Sequence, residues 1–400
     1  MLVILEAILI ILFWVFVIDN LKGGDALISQ RYPAWQDVNV MMLIGFGFLM
    51  TFIRSYTWSA IAFTFLTNAI ISQYYVLFSA FWKKALNGNF SIVEIDVDIV
   101  TLINCSYAVA SALVAFGGVI GRVGPKDILI FATFHIIGYT LNEEIVFNKL
   151  KMIDAGCSST IHTFGAYYGL TVCLVLSSKA KPVTNIKTSY FSNIFAFIGT
   201  LFLWIYYPSF NYAILAQNEF EQNLIVVNTY FSLIGSLLGT FFISAIGFGR
   251  GLEMENILNA TLAGGVGIGA SVSVIYRPGL AMFIGFMAGC ISTICFHKLT
   301  SRLLKWINLY DTCGIHNLHG IPGLYGGIWS GIIIGFYNTG YNHDIANRYA
   351  NPPFSFPDPT IGFVRQGAHQ IAGTFCSFGM AIAFGLIGGL VMSCFYTEKP

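Results

Sequence analysis

Two short stretches hold the side chains best suited to chemistry, DAGCSSTIHTFGAYYG starting at Asp154 and DTCGIHNLHGIPGLYG starting at Asp311. In each, an Asp is followed eight residues on by a His, then six later by a Tyr and at once by a Gly. The matched sets are Asp154/His162/Tyr168/Gly169 and Asp311/His319/Tyr325/Gly326. Four coincident positions mark an internal repeat. Two neutral imidazoles can share one proton between facing nitrogens, which leaves one donor and one acceptor for something small. An Asp at the start of a helix accepts hydrogen bonds from first-turn N–H groups and complements the helix dipole. Capping is therefore the reading for Asp311, whereas Asp154 suits either a cap or a place on a solute's path.

The elements that must position these groups lie in lipid. The chain has 400 residues, of which 56% are hydrophobic and 10% charged, where a soluble domain carries roughly a quarter charged residues. Mean hydropathy is +0.72. A net charge of +1 offers no basic surface and no acidic tail, which excludes nucleic acid as a partner. Apolar stretches long enough to cross a bilayer, about 17 to 25 residues, occur at 2–18, 38–53, 58–80, 98–120, 127–147, 155–176, 191–207, 223–247, 256–275, 278–299, 314–336 and 366–394. These predict an all-α polytopic membrane protein with about twelve transmembrane helices. Stretch 127–147 is diluted by His135, Asn142, Glu143 and Glu144. Stretch 2–18 reads as a retained helix and not a signal peptide: no basic residue precedes it, Glu6 interrupts it, and no small-x-small site follows Asp19.

The two copies fall on the sixth and eleventh helices, so an odd number of crossings separates them and they run antiparallel. This is an inverted-topology repeat, five helices plus five, in which a transport site forms near the midplane between the halves. The halves are read at 38–207 and 191–336, sharing 191–207, with 2–18 and 366–394 as additional helices of one channel domain. Arg54, Arg122, Lys126, Lys179, Lys181, Lys187, Arg250, Lys298, Arg302 and Lys305 fall on one side if the helices alternate, which makes that side cytoplasmic. The other side gathers acids, Glu94, Asp96, Glu143, Glu144 and Asp154 among them, and its mouth is mildly electronegative.

Each His lies two turns into its helix, about 12 Å from its Asp, so antiparallel packing brings both imidazoles to one depth. Ionisable groups within the bilayer are costly and mark substrate or proton paths. The rest of each helix is aliphatic, aromatic or Gly. Such a pore penalises an ion by several kcal/mol and admits a small, neutral, hydrogen-bonding molecule. Ammonia fits; water and carbon dioxide fit less specifically. Close helix packing around a narrow path is supported by Gly-x-x-x-Gly spacings at 117/121, 235/239, 265/269, 285/289 and 327/331.

Eight cysteines with no CxxC pair read as membrane thiols and not as a disulfide or zinc framework. Asn89-Phe90-Ser91 is an acceptor sequon in an outer loop, and Asn259-Ala260-Thr261 repeats the pattern inside a helix, where it cannot be used. A haem-binding electron carrier would need a second pair of axial ligands or a CxxCH. No nucleophile, base and oxyanion arrangement suggests an enzyme, and no cofactor is expected.

The stretches KMIDAGCSSTIHTFGAYYGLTV, LFLWIYYPSFNYA, ENILNATLAGGVGIGA and DTCGIHNLHGIPG resemble the signature segments of the Rh glycoprotein branch of the ammonium transporter family. The resemblance extends through LINCSYAVASALVAFGGVIG and LNEEIVFNKLK. It implies a multi-pass homotrimer in the lipid bilayer, of the plasma membrane or of a vesicle or vacuole. Each subunit then has one pore conducting ammonia recruited as ammonium, with methylamine and carbon dioxide as further solutes. Carried over by position, His162 and His319 are the twin pore histidines, and Asp154 with Glu143 recruits and deprotonates ammonium. The aromatic gate falls on Tyr107, where the family has Phe, and on Phe210. Ile315, His316 and Asn211 fall on the pore lining, although the family often has Asn where His316 stands and a structural role suits that His as well. No Trp occurs in GYTLNEEIVFNKLKMID, where microbial ammonium transporters hold the cation by cation–π attraction. The same residues serve an electroneutral channel, an electrogenic ammonium transporter or a non-conducting ammonium sensor.

Overall fold

A computed structural model describes residues 2–19, 24–53, 56–88, 94–177, 179, 188–214, 219–247, 253–336 and 362–396. Arg54, Lys181, Lys187, Arg250 and the Asn89 sequon lie outside the described residues. The described chain forms twelve helices. They are α1 Leu2–Phe16, α2 24–52, α3 Thr57–Leu86, α4 Ile99–Gly117, α5 125–149, α6 Ser158–Leu176, α7 Tyr190–Tyr212, α8 219–247, α9 254–268, α10 Pro278–Ile307, α11 316–335 and α12 Phe363–Phe395. Eight of them are long and apolar enough to cross a membrane, and the protein is an integral, multi-pass membrane protein. The diluted stretch forms α5, whose His135, Tyr139 and Asn142 are buried inside the bundle.

Local chemistry sets several boundaries. Asp98 accepts from the Thr101 N–H at 2.8 Å and starts α4. Ser189 and Ser192 cap one another at the start of α7. Pro125 and Pro278 open α5 and α10, where a missing N–H costs nothing. The expected helix 256–275 stops at Ile268 because the backbone turns to pack on the Asp154 loop: Gly156 N–H donates to Gly269 O at 2.9 Å. The expected helix 98–120 stops at Gly117, and the chain turns through Gly121 at φ +81°. A two-stranded parallel ladder, β1 Val17–Asp19 on β2 Ile95–Val97, joins the exit of α1 to the entry of α4. It is a short addition to a bundle that is otherwise helical.

Among the glycine spacings, 235/239 and 285/289 form one reciprocal seam between α8 and α10. A methyl at Gly235 would lie 2.1 Å from Met282 O, and one at Gly285 would lie 1.9 Å from Ser232 O. Without Cβ atoms the two backbones touch directly, which supplies packing where lipid offers no hydrophobic drive. The eight cysteines are unpaired, five of them buried.

Candidate functional site

The repeat is written into the backbone as well as the sequence. Lys151 and Asn308 both adopt φ +54°, and Cys157 and Gly314 adopt +55° and +70°. Within each pair the residues stand 157 positions apart, the separation of Asp154 from Asp311. Each Asp then opens a wide π-turn, Ser158–Thr163 in one copy and His316–Gly320 in the other. Asp154 Oδ2 accepts from Ser159 N–H (3.0 Å), Thr160 N–H (2.9 Å) and the Thr160 hydroxyl (3.0 Å). Asp311 accepts from Ile315 N–H (2.9 Å) and His316 N–H (2.8 Å). These are the first-turn donors a helix cannot satisfy internally.

Farther along, the Tyr168 hydroxyl donates to Phe131 O on α5 at 2.8 Å, and that of Tyr325 donates to Ile284 O on α10 at 3.3 Å. Gly169 lies against Ala115 O on α4, and Gly326 against Gly267 O on α9. The equivalences α4/α9, α5/α10 and α6/α11 are those of a five-plus-five inverted repeat.

This scaffold brings the two histidines into contact. His162 Nδ1 and His319 Nδ1 are 3.1 Å apart, the rings are 7° from parallel with centroids 5.1 Å apart, and both side chains are buried. Two Nδ1 atoms at that distance hold one hydrogen, so one ring donates and the other accepts. The Tyr207 hydroxyl stands 3.3 Å from His162 Nε2, and Phe46 stacks on the far ring, 6.2 Å from His319. The line Tyr207, His162, His319 runs in either sense, ending on His319 Nε2 as a donor or as an acceptor.

Phe210 lies 5.9 Å from the His162 ring and 4.6 Å from the Tyr107 ring at a tilt of 36°. All three are buried. The Tyr107 hydroxyl donates to Phe210 O, a carbonyl in the last turn of α7 with no helical partner of its own. Asn211 donates to Thr229 Oγ1 at 2.9 Å and is packed against Gly156 of the Asp154 loop. The buried Oδ1 atoms of Asp154 and Asn211 have no hydrogen-bond partner.

On the Asp154 side a cavity of about 840 Å³ is lined by Glu94, Asp96, Glu143, Glu144, Lys83 and Lys84, among others. Glu143 accepts from the Tyr75 hydroxyl at 2.8 Å. On the Asp311 side a cavity of about 330 Å³ is lined by Asp311, Thr312 and Tyr310. Phe52, Asn259 and Cys313 line both it and a narrow space of about 20 Å³ that ends on His319, Ile315 and Leu318. His316 is not among the residues lining that narrow space; its ring meets Tyr167 edge-on at 5.6 Å.

Sequence reasoning missed Tyr207, Phe46 and Tyr75. The spacing of Tyr207 and Phe210, three apart on one helix, places both on the same face and was the available signal.

The family model described as Ammonium Transporter Family matches residues 1–397. The chain belongs to the ammonium transporter family. Within this family it is similar to the Ammonium transporter Rh type C of Xenopus laevis, at 42% identity over 91% of this chain and 75% of the relative. The Homo sapiens Ammonium transporter Rh type C is 38% identical over 99% of this chain and 85% of the relative. Among solved structures, Nitrosomonas europaea Rh50, described with the conduction mechanism of the Rhesus family of channels, superposes with a TM-score of 0.79. It is 31% identical, over 94% of this chain and 90% of that one. Saccharomyces cerevisiae Mep2, at 17% identity and a TM-score of 0.72, shares the fold. The protein is thus an Rh-type ammonium transport protein, in a family of transporters and channels.

Proposed function

We propose that this protein conducts ammonia through the bundle past His162 and His319, taking it from ammonium at the mouth that carries Glu143. The observation that carries the reading is the buried, nearly parallel imidazole pair with Nδ1 atoms 3.1 Å apart. Its surroundings, Phe46, Tyr207, Phe210 and Leu318, present little to compensate a cation, and an ion held there loses several kcal/mol of solvation. Neutral ammonia loses far less and gains a hydrogen bond from the end of the Tyr207–His162–His319 line.

Upstream, the acidic cavity draws in a cation. Tyr107 and Phe210 cover the way down as a gate. The unpartnered Oδ1 atoms of Asp154 and Asn211 match a guest that carries only N–H donors, which is ammonium before it loses its proton. Methylammonium offers the same donors with one methyl in place of a hydrogen. Carbon dioxide offers no donor, so this site favours the amines over it. Ile315 and Leu318 line the exit, and Asp311 caps α11. We extend the proposal to a homotrimer with one pore per subunit, the arrangement that the Rh resemblance implies.

The test is internal pH recorded by stopped flow in proteoliposomes after an ammonium gradient, with membrane current in parallel, for the parent and for His162→Ala/His319→Ala. Fast alkalinisation without current, slowed or altered in selectivity in the variant, is expected. Alkalinisation no faster than in protein-free vesicles would sink the channel reading and promote a sensor; ammonium-dependent current would mean that charge crosses.

A further inference from the structure

The last helix, α12, stands outside the inverted repeat, yet it carries polar residues on the stripe that meets the Asp154 loop. Gln370 is fully buried and uses its whole amide. Its Oε1 accepts from Ile153 N–H at 2.7 Å and from Gln366 Nε2 at 3.0 Å. Its Nε2 donates to Ile153 O and to Ser330 Oγ, each at 2.6 Å. Gln366 also donates to Lys151 O at 2.8 Å, and Thr374 Oγ1 pairs with Ser159 Oγ at 2.9 Å. Ile153, the residue immediately before Asp154, is therefore gripped on both its N–H and its C=O by one side chain.

The repeat shows what this grip replaces. Cys173 and Ser330 stand 157 positions apart, as do Ile153 and Tyr310, so they occupy equivalent places. On the Asp311 side Cys173 Sγ reaches Tyr310 O directly, at 3.0 Å. On the Asp154 side Ser330 does not reach Ile153 O; Gln370 is inserted between them, and Ser330 passes on to Ala270 O at 2.8 Å. Here the two halves are wired differently, and the difference lies beside the aspartate proposed to meet ammonium.

We propose that Gln370 is a positioning residue for Asp154, holding the unpartnered Oδ1 of that carboxylate at the depth and direction from which it meets the substituted or unsubstituted ammonium cation. The inference rests on the reading of Asp154 given above. It predicts that a change in α12, remote from the histidines, alters discrimination between solutes and not merely the amount of folded protein.

The experiment uses the full chain in proteoliposomes with ammonium chloride and methylammonium chloride as probes, rates being normalised to protein recovered as a folded assembly. Gln370→Leu is expected to slow ammonium-driven alkalinisation about tenfold or more, within the roughly hundredfold that displacing a reacting group by about 1 Å can cost, and to change the methylammonium-to-ammonium rate ratio. Gln370→Glu, which keeps the acceptor for Ile153 N–H and turns a carboxylate oxygen toward Ile153 O, is expected to shift the ratio the same way and serves if the Leu variant does not fold. Rates within twofold of the parent, or both rates reduced equally at an unchanged ratio, would overturn the proposal while Asp154→Asn remained slow. If Asp154→Asn itself conducts like the parent, the reading of Asp154 fails and this inference falls with it.

Discussion

Replacing Tyr107 by Phe deletes one oxygen from the close Tyr107–Phe210 ring contact and leaves the ring. With the rings 4.6 Å apart, Phe fills the same place, so the ring contact persists and the tie from the hydroxyl to Phe210 O is lost. On the proposed gate reading that tie belongs to the shut state, and a buried hydrogen bond contributes about 0.5 to 1.5 kcal/mol net. At about 1.36 kcal/mol per tenfold, removing it raises the open-to-shut ratio by between about two- and twelvefold. The shut state is further disfavoured because Phe210 O is left buried without a donor. If opening limits flux, Tyr107→Phe conducts ammonia faster than the parent by a factor in that range, read as the initial alkalinisation rate per folded protein in stopped-flow vesicles. An unchanged or slower rate refutes the reasoning, because it means either that the hydroxyl does not hold the gate shut or that the rings do not limit passage.

Other substitutions separate the remaining parts. Tyr207→Phe removes the hydroxyl beside His162 Nε2 and should lower the ammonia rate by about two- to threefold, the effect of losing one weak hydrogen bond. Glu143→Gln should raise the half-saturating ammonium concentration about threefold at constant maximal rate, with the difference shrinking in high salt, since the effect is electrostatic enrichment at the mouth. Asp311→Ala strips the start of α11 of two hydrogen bonds and should destabilise the purified protein by about 1 to 2 kcal/mol in detergent unfolding. Gly285→Val drives a side chain into Ser232 O and should cost about 3 kcal/mol or more, read as loss of folded protein in size-exclusion chromatography.

Much of this architecture could be read from residue patterns because lipid enforces them. All twelve expected helices are present, since a backbone crossing hydrocarbon must satisfy its polar groups within the segment. The antiparallel meeting of His162 and His319 followed from helix count and matched spacing alone. What was not legible depends on contacts between distant segments. The early end of α9 at Ile268 comes from Gly156 N–H reaching Gly269 O, and nothing in the local run GGVGIGA announces it. The π-turns depend on which N–H groups Asp154 and Asp311 capture. Gln366 and Gln370 were visible as polar residues in an apolar stretch, which signals function in a membrane, but their partners lie more than 200 residues earlier in the chain. The β1–β2 ladder is too short to leave a pattern.

Inverted repetition explains both what the two halves share and where they differ. Equal depth for two imidazoles requires that each helix start at the same distance from its histidine, and the matched left-handed residues and π-turns provide this on both sides. A scaffold bound only by that symmetry would give both aspartates one environment, and hence one job. Here the carboxylates diverge: Asp311 spends both oxygens on N–H groups of α11, whereas Asp154 spends one and leaves the other buried and free. The residue that accompanies the difference, Gln370, comes from the helix that the repeat does not include. A helix outside the symmetry can act on one side of the bundle without altering the other, so in the proposed pore the Asp154 site gains its own chemistry while the histidine pair remains common to both directions of passage.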